Sequence, residues 1–208
     1  YNAYNFATCP IERLTEEGEA LGFGTLIKMP KFWLFILLMI GAGASEAGMA
    51  QWASAYVEAA LGFPKAVGDI AGPCLFAVAM GLSRAIYGKF GEKIDLKKFM
   101  LASGVLCLGC YLAAALCAVP IIGLLGCIVC GFSVGILWPG TISVASRALP
   151  QGGTALFALL AMGGDMGASV GPGLVGVVTQ AVDNNMKAGM LAGCIFPVII
   201  IVAIGKMF

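Results

Sequence analysis

The chain contains no histidine and few charged residues, and each shortage limits what the protein can be. Without histidine it lacks the commonest metal ligand and the side chain that most often relays protons near neutral pH. Charged residues make up 11% of the chain, whereas soluble domains carry about 25%. We therefore expect neither a soluble globular fold nor a metal site, and any proton chemistry has to use carboxylates.

The remaining charges and the cysteines exclude further classes of protein. Twelve basic and eleven acidic residues leave a net charge of +1, which gives no reason to expect nucleic acid as a partner. Two cysteine pairs with CxxC-like spacing, Cys107/Cys110 and Cys127/Cys130, lie inside apolar runs. That setting favours small buried hydrophobes over a zinc or redox site. No nucleophile has a base nearby, so we expect neither an enzyme nor a bound cofactor.

Long apolar runs are what the chain does have. Hydrophobic residues make up 60% of it, and the mean hydropathy is +0.97. A helix that crosses about 30 Å of hydrocarbon needs roughly 20 apolar residues, and these runs are too long for barrel strands. The sequence predicts an all-α integral membrane protein, a bundle of six transmembrane helices. The predicted spans are 32–59, 67–87, 99–119, 121–145, 155–182 and 190–204.

The basic residues are distributed unequally between the two sides of these spans. One side holds ten: Arg13, Lys28, Lys31, Arg84, Lys89, Lys93, Lys97, Lys98, Arg147 and Lys206. The other side holds two, Lys65 and Lys187. The positive-inside rule therefore predicts that both termini are cytoplasmic. Residues 1–30 are expected to be a cytoplasmic linker with an amphipathic helix around 11–21, and residues 31–208 the bundle.

The start of the chain carries no secretory signal by composition. It opens with a polar stretch rather than a charged region followed by a short apolar core, so we expect no signal peptide. It also begins without methionine, as a segment cut from a longer protein would begin.

Two acidic residues are predicted to lie deep in the membrane. Glu46 falls about 15 residues into the first span, roughly 22 Å, and Asp165 about 12 residues into the fifth, roughly 18 Å. Neither is expected to have a cation within the membrane part of this chain. Such groups usually serve function, which predicts a carboxylate that binds a proton or a solute. The alternative is a neutral acid that is hydrogen-bonded to backbone.

Aromatic residues and a proline mark further candidates for a binding site. Trp52 and Tyr56 share one stripe of the first span and are predicted either to stack on a ligand or to belong to an interfacial belt. Pro139 inside the fourth span predicts a kink that presents Trp138 and Thr141 beside freed backbone groups. Such a construction often lines a substrate path, although a kink can also be purely structural.

Glycine is abundant, at 30 residues, about twice its ordinary frequency of roughly 7%. In the fifth span Gly163, Gly167 and Gly171 recur every four residues, and Pro172 follows. Small residues at this spacing let two helices approach closely. The pattern alone predicts helix packing, not transport.

Three stretches carry a resemblance to a known family. They are KFWLFILLMIGAGASEAGMAQWASAY, GLSRAIYGKFGEKIDLKK and GDMGASVGPGLVG. With them, residues 29–208 resemble the C-terminal six-helix half of a Major Facilitator Superfamily transporter, in the sugar branch around fucose permease. The second stretch is similar to the basic loop between helices eight and nine of the family. There Gly81, Arg84, Gly88 and Lys89 fit, and Ser83 stands where an acidic residue is common.

The resemblance implies a twelve-helix fold of which this chain is one half. The substrate site would lie at the midplane between the halves, with the first and fourth spans lining it. The second and fifth spans would contact the N-terminal half or a second copy, and the third and sixth would face lipid. It further implies a multi-pass protein of the plasma membrane that moves a small polar solute, a sugar among the candidates, by alternating access. Glu46 would be the proton-sensitive or solute-binding carboxylate, and Arg84 with Lys89 would form the cytoplasmic gate region.

A different class remains open at the level of sequence. A non-transporting membrane module, such as the substrate-binding subunit of an ATP-driven importer, also fits six spans. Purification with an ATPase partner would favour that alternative.

Overall fold

The computed structural model describes residues 2–9 and 21–207, and these form helices and turns without strands. Six of the helices are long and apolar enough to cross a membrane, which confirms the predicted all-α membrane fold. They are span 1 (Pro30–Ala59), span 2 (Lys65–Phe90), span 3 (Leu96–Leu116), span 4 (Pro120–Ala148), span 5 (Pro150–Ala181) and span 6 (Met186–Gly205). The amphipathic helix predicted around 11–21 lies almost wholly outside the described residues.

Spans 2, 4, 5 and 6 are each built from more than one helical segment. Span 2 consists of Lys65–Asp69, a π-helical turn at Ile70–Cys74 and Leu75–Phe90; span 4 consists of Pro120–Val134 and Leu137–Ala148. Span 5 is a 3₁₀ turn at Pro150–Gly152 followed by Gly153–Ala181, and span 6 is Met186–Gly193 and Ile195–Gly205. The short helices Asn2–Thr8 and Phe23–Lys28 precede span 1, and a 3₁₀ turn at Gly91–Lys93 links spans 2 and 3.

Prolines account for the breaks in spans 4 and 6. A proline has no N–H, so the carbonyl four residues earlier loses its helical donor. For Pro139 that carbonyl belongs to Gly135, and the break in span 4 falls at residues 135–136. For Pro197 it belongs to Gly193, and span 6 breaks at Cys194. The kink predicted for the fourth span is therefore present, one turn before its proline.

Span 1 lies at the centre of the bundle and packs closely along span 5. A Cβ built on Gly43 would collide with a backbone carbonyl of span 5, and one built on Gly167 or Gly171 with a carbonyl of span 1. At Gly163 a Cβ would make only ordinary contact, 3.5 Å from the Ile36 side chain. The absence of side chains at the three closest positions is thus what allows the two helix backbones to touch.

The six spans differ in how much of their surface this chain covers. In the most apolar window of each span, 61% of the residues are buried in span 1 and 56% in span 4, but only 24% in span 2 and 28% in span 5. Exposed apolar side chains such as Val78 and Leu82 in span 2, and Met162 and Met166 in span 5, account for the difference. Spans 2 and 5 therefore present the largest uncovered helix surfaces of the described bundle.

Candidate functional site

Glu46 lies near the middle of span 1, an unbroken helix of 30 residues. Its side chain is half-buried, while its neighbour Ser45 is fully buried. The Tyr111 hydroxyl of span 3 donates a hydrogen bond of 2.8 Å to the Ser45 carbonyl, so the backbone at this level is held by a second span. The carboxylate is therefore carried on a fixed part of the bundle and retains partial access from outside it.

Arg84 is a cation within span 2. It lies inside the helix Leu75–Phe90, six residues before the end. Its Nε donates a hydrogen bond of 3.0 Å to the Gly135 carbonyl at the break in span 4. Because Pro139 deprives that carbonyl of its helical donor, the guanidinium occupies the acceptor that the proline leaves open.

In the described part of the chain, no ion pair or hydrogen bond joins Arg84 to Glu46. The expectation that Glu46 has no cation within the membrane part of the chain to pair with stays a prediction. Arg84 itself lies inside the predicted span 67–87. One indication of the bond between Arg84 and Gly135 was readable from the sequence, because Pro139 leaves the Gly135 carbonyl without its helical donor. The sequence did not show which donor would reach that carbonyl.

Trp52 holds span 1 against span 5. Its indole Nε1 donates a hydrogen bond of 2.9 Å to the Pro172 carbonyl. A Cβ on Gly176 would come within 2.8 Å of the ring, so that glycine leaves the room the indole needs. The side chain remains only half-buried. Trp52 therefore links two helices and still presents part of its ring at the surface.

Tyr56 and Thr141 use their hydroxyl groups within the bundle. Tyr56 is fully buried, and its hydroxyl donates a 2.5 Å hydrogen bond to the Ala114 carbonyl of span 3. Thr141 is buried, and its hydroxyl donates a 2.6 Å hydrogen bond to the Leu137 carbonyl of its own helix. Neither hydroxyl is an open donor, because each already donates to a backbone carbonyl. In the present arrangement both serve the packing of the spans.

Trp138 and Asp165 are brought near the same glycine but lie on different faces of span 5. The half-buried Trp138 packs against Gly164, where any Cβ would collide with its ring. Asp165 follows directly and is exposed, next to the exposed Met162 and Met166. Asp165 therefore lies on the uncovered surface of span 5.

The loop motif lies at the end of span 2 and is largely exposed. Gly81 and Gly88 have no neighbour within 4 Å of a built Cβ. The Lys89 ammonium lies 5.5 Å from the centre of the Phe90 ring, a distance at which a cation is attracted to an aromatic face. Of the four motif residues, Arg84 is the one that reaches another span through a hydrogen bond.

The arrangement keeps a carboxylate that can bind a proton apart from the contact between spans 2 and 4. The hydrogen bond from Arg84 to Gly135 does not involve the Glu46 carboxylate. A proton gained or lost at Glu46 therefore leaves the contact between spans 2 and 4 in place.

Comparison with known proteins identifies the family. No curated protein and no solved structure matches the chain. The family model of the Major Facilitator Superfamily matches residues 10–172, which are 163 of the 208 residues. The matched part includes spans 1 to 4 and span 5 as far as Pro172, and hence Glu46, Arg84 and the kink in span 4. The chain therefore belongs to the Major Facilitator Superfamily.

Proposed function

We propose that this chain is the C-terminal half of a secondary active transporter that moves a small polar solute by alternating access, coupled to protons. Membership in the superfamily supports a transporter over the importer subunit that the sequence left open. The observation that carries the proposal is the half-buried carboxylate of Glu46 at mid-span. An ionisable group at that depth is costly unless it serves an ion or solute path.

The surface of the bundle supports the assignment as one half of a larger fold. Spans 2 and 5 leave most of their surface uncovered, and span 5 exposes a carboxylate, Asp165, among apolar side chains. An exposed apolar helix face with one acid on it fits a protein partner better than lipid alone. We assign that partner to an N-terminal six-helix half or to a second copy of this chain.

In this proposal Glu46 binds and releases the coupling proton, and the aromatic residues form the walls of the solute path. Trp52 and Trp138 are both half-buried and both pack on span 5, so each offers an aromatic surface without being free to move. Stacking on such rings suits a sugar, which has apolar C–H faces and polar edges. The protein would lie in the plasma membrane. Its basic end, where span 1 begins and spans 2, 4 and 6 end, would face the cytoplasm.

The proposal is tested by replacing Glu46 with glutamine in the full-length protein reconstituted in proteoliposomes. Uptake of a panel of radiolabelled monosaccharides is measured with and without an imposed pH gradient. We expect gradient-driven uptake to fall at least about tenfold. A tenfold change corresponds to about 1.4 kcal/mol of free energy. Exchange of solute without a gradient should persist, because glutamine keeps the shape of a neutral acid.

Glu58→Gln is the matched control, because Glu58 is an exposed acid on the same helix near its far end. It should retain gradient-driven uptake within about twofold. Uptake by Glu46→Gln that keeps the full dependence on the pH gradient would refute the role of Glu46. Copurification of an ATPase, with uptake that requires ATP, would refute the transporter class.

A further inference from the structure

A cavity at the basic end of the bundle is not part of the proposed solute path. Its volume is about 690 Å³, within the range of sites for small ligands. It lies where span 1 begins and spans 4 and 6 end, beside the connection from span 2 to span 3. Glu46, Trp52 and Trp138 are absent from its lining. Any ligand here would bind separately from the midplane site.

Four cationic side chains from separate parts of the fold line this cavity. Lys31 comes from the start of span 1, Lys97 from the start of span 3, Arg147 from the end of span 4 and Lys206 from the residue after span 6. The one acidic residue in the lining is Asp95, so these five groups sum to a net charge of +3. Many cytoplasmic loops are basic, but here the charges converge on one concave space.

The Asp95 carboxylate is already engaged by its own helix. It accepts the backbone N–H groups of Lys97 at 3.1 Å and Lys98 at 3.3 Å, and the Lys98 ammonium lies 3.4 Å away. The backbone hydrogen bond from Lys98 contributes most to holding the pKa of Asp95 below its usual value, so the group remains ionised as a cap. Lys98 is outside the cavity lining, and it offsets the charge that Asp95 brings to the cavity.

The cavity wall is apolar and held in place. Leu34, Phe35 and Val144 contribute apolar surface from spans 1 and 4. Tyr87 adds an aromatic ring that stacks on Phe99, with the ring centres 6.0 Å apart and the planes at 7°. The site therefore combines a cationic mouth with a preformed apolar wall, which favours an anion attached to an apolar or uncharged group.

We propose that this cavity binds the phosphate group of an anionic molecule at the basic end of the membrane. A phosphate monoester carries about −1.5 to −2 charges near neutral pH, which suits a net charge of +3 better than a single carboxylate does. Arginine meets phosphate with a two-pronged donor, and lysines add point charges. The phosphate can come from a lipid headgroup at the membrane surface or from a soluble phosphate ester.

The test uses the purified full-length protein in detergent and calorimetric titration at low salt. The probes are dioctanoyl phosphatidic acid, dioctanoylglycerol with the same chains but no phosphate, and glycerol 3-phosphate with the phosphate but no chains. We expect phosphatidic acid to bind and dioctanoylglycerol not to bind. Binding of phosphatidic acid alone assigns the phosphate to a lipid, and binding of glycerol 3-phosphate with similar affinity assigns it to a soluble ester.

Variants connect that binding to the cavity. Replacing Arg147 and Lys206 together with glutamine should weaken binding roughly 25-fold, at about fivefold for each cation removed. When Arg147→Lys replaces Arg147→Gln in this double variant, part of the lost affinity should return. Lysine restores the charge but not the two-pronged donor geometry of arginine. The control pair is Lys28→Gln with Lys93→Gln, which removes the same charge at the same end from exposed residues outside the lining.

Two results would overturn the proposal. The first is that neither phosphate-bearing probe binds better than dioctanoylglycerol. The second is that the control pair weakens binding as much as the cavity pair, since the effect would then come from general surface charge. Both binding measurements are independent of solute uptake. The phosphate proposal can therefore be refuted while the role of Glu46 stands, and the role of Glu46 can be refuted while the phosphate proposal stands.

Discussion

The close contact between spans 1 and 5 makes Gly167→Ala the most direct test of the packing. A Cβ at this position would collide with the backbone carbonyl of Ile40, and it would also approach the Ile40 Cα within 2.9 Å. These are backbone atoms of a neighbouring helix, so no side-chain rotation can relieve the contact. The two helices have to separate, and overpacking of this kind costs about 1–3 kcal/mol.

Alanine also favours the helix itself by about 1 kcal/mol relative to glycine, so the net destabilisation should be about 0–2 kcal/mol. Gly109→Ala in span 3 is the matched control, because Gly109 is an exposed helical glycine with no neighbour within 4 Å. That variant should be neutral or stabilised by up to about 1 kcal/mol. Unfolding of the detergent-solubilised full-length protein measures both. Equal stability of the two variants would show that spans 1 and 5 are not in backbone contact.

Three further substitutions test single contacts. Tyr111→Phe removes the hydroxyl that donates to the Ser45 carbonyl and should destabilise the protein by about 1–2 kcal/mol in thermal unfolding; an unchanged midpoint would count against the bond. Asp95→Ala removes the cap of span 3. Because the pKa of Asp95 is lowered by folding, its contribution is present above its ordinary value of 3.8 and is lost as the pH falls below it. The variant should therefore be less stable than the unmodified protein at pH 7 and indistinguishable at strongly acid pH. Arg84→Lys keeps a cation in span 2 but lacks the Nε–H that donates to Gly135, so uptake should fall less than with Arg84→Gln.

The spans were predictable from sequence because hydrocarbon imposes one requirement on every one of them. A run of roughly 20 apolar residues has to form a helix to satisfy its backbone, and the predicted ends agree with the structure within five residues. Pro139 also gave local information. It marks a break one turn earlier because it removes a single donor from a known carbonyl. Pro197, for which the sequence analysis made no prediction, acts in the same way on span 6.

The partners of the polar groups were not predictable, because they depend on how distant spans are arranged. Tyr56 and Ala114 are 58 residues apart, and Arg84 and Gly135 are 51 apart. No periodicity within one helix indicates which carbonyl another helix will present. The stripe that carries Tyr56 suggested a ligand contact, whereas the tertiary structure provides a buried acceptor for its hydroxyl. The sequence pattern of one helix shows which of its faces is polar. The hydrogen-bond partners of that face depend on the helix that packs against it.

The position of Arg84 separates the proposed proton chemistry from the break in span 4. Pro139 leaves the Gly135 carbonyl without its helical donor, and the Arg84 guanidinium donates to that carbonyl. Glu46 takes no part in this hydrogen bond. In the proposed mechanism, a proton that binds to Glu46 therefore leaves the bond between spans 2 and 4 in place. The Gly135 carbonyl keeps its donor whichever charge the carboxylate carries, which avoids the free-energy cost of an unpaired buried carbonyl.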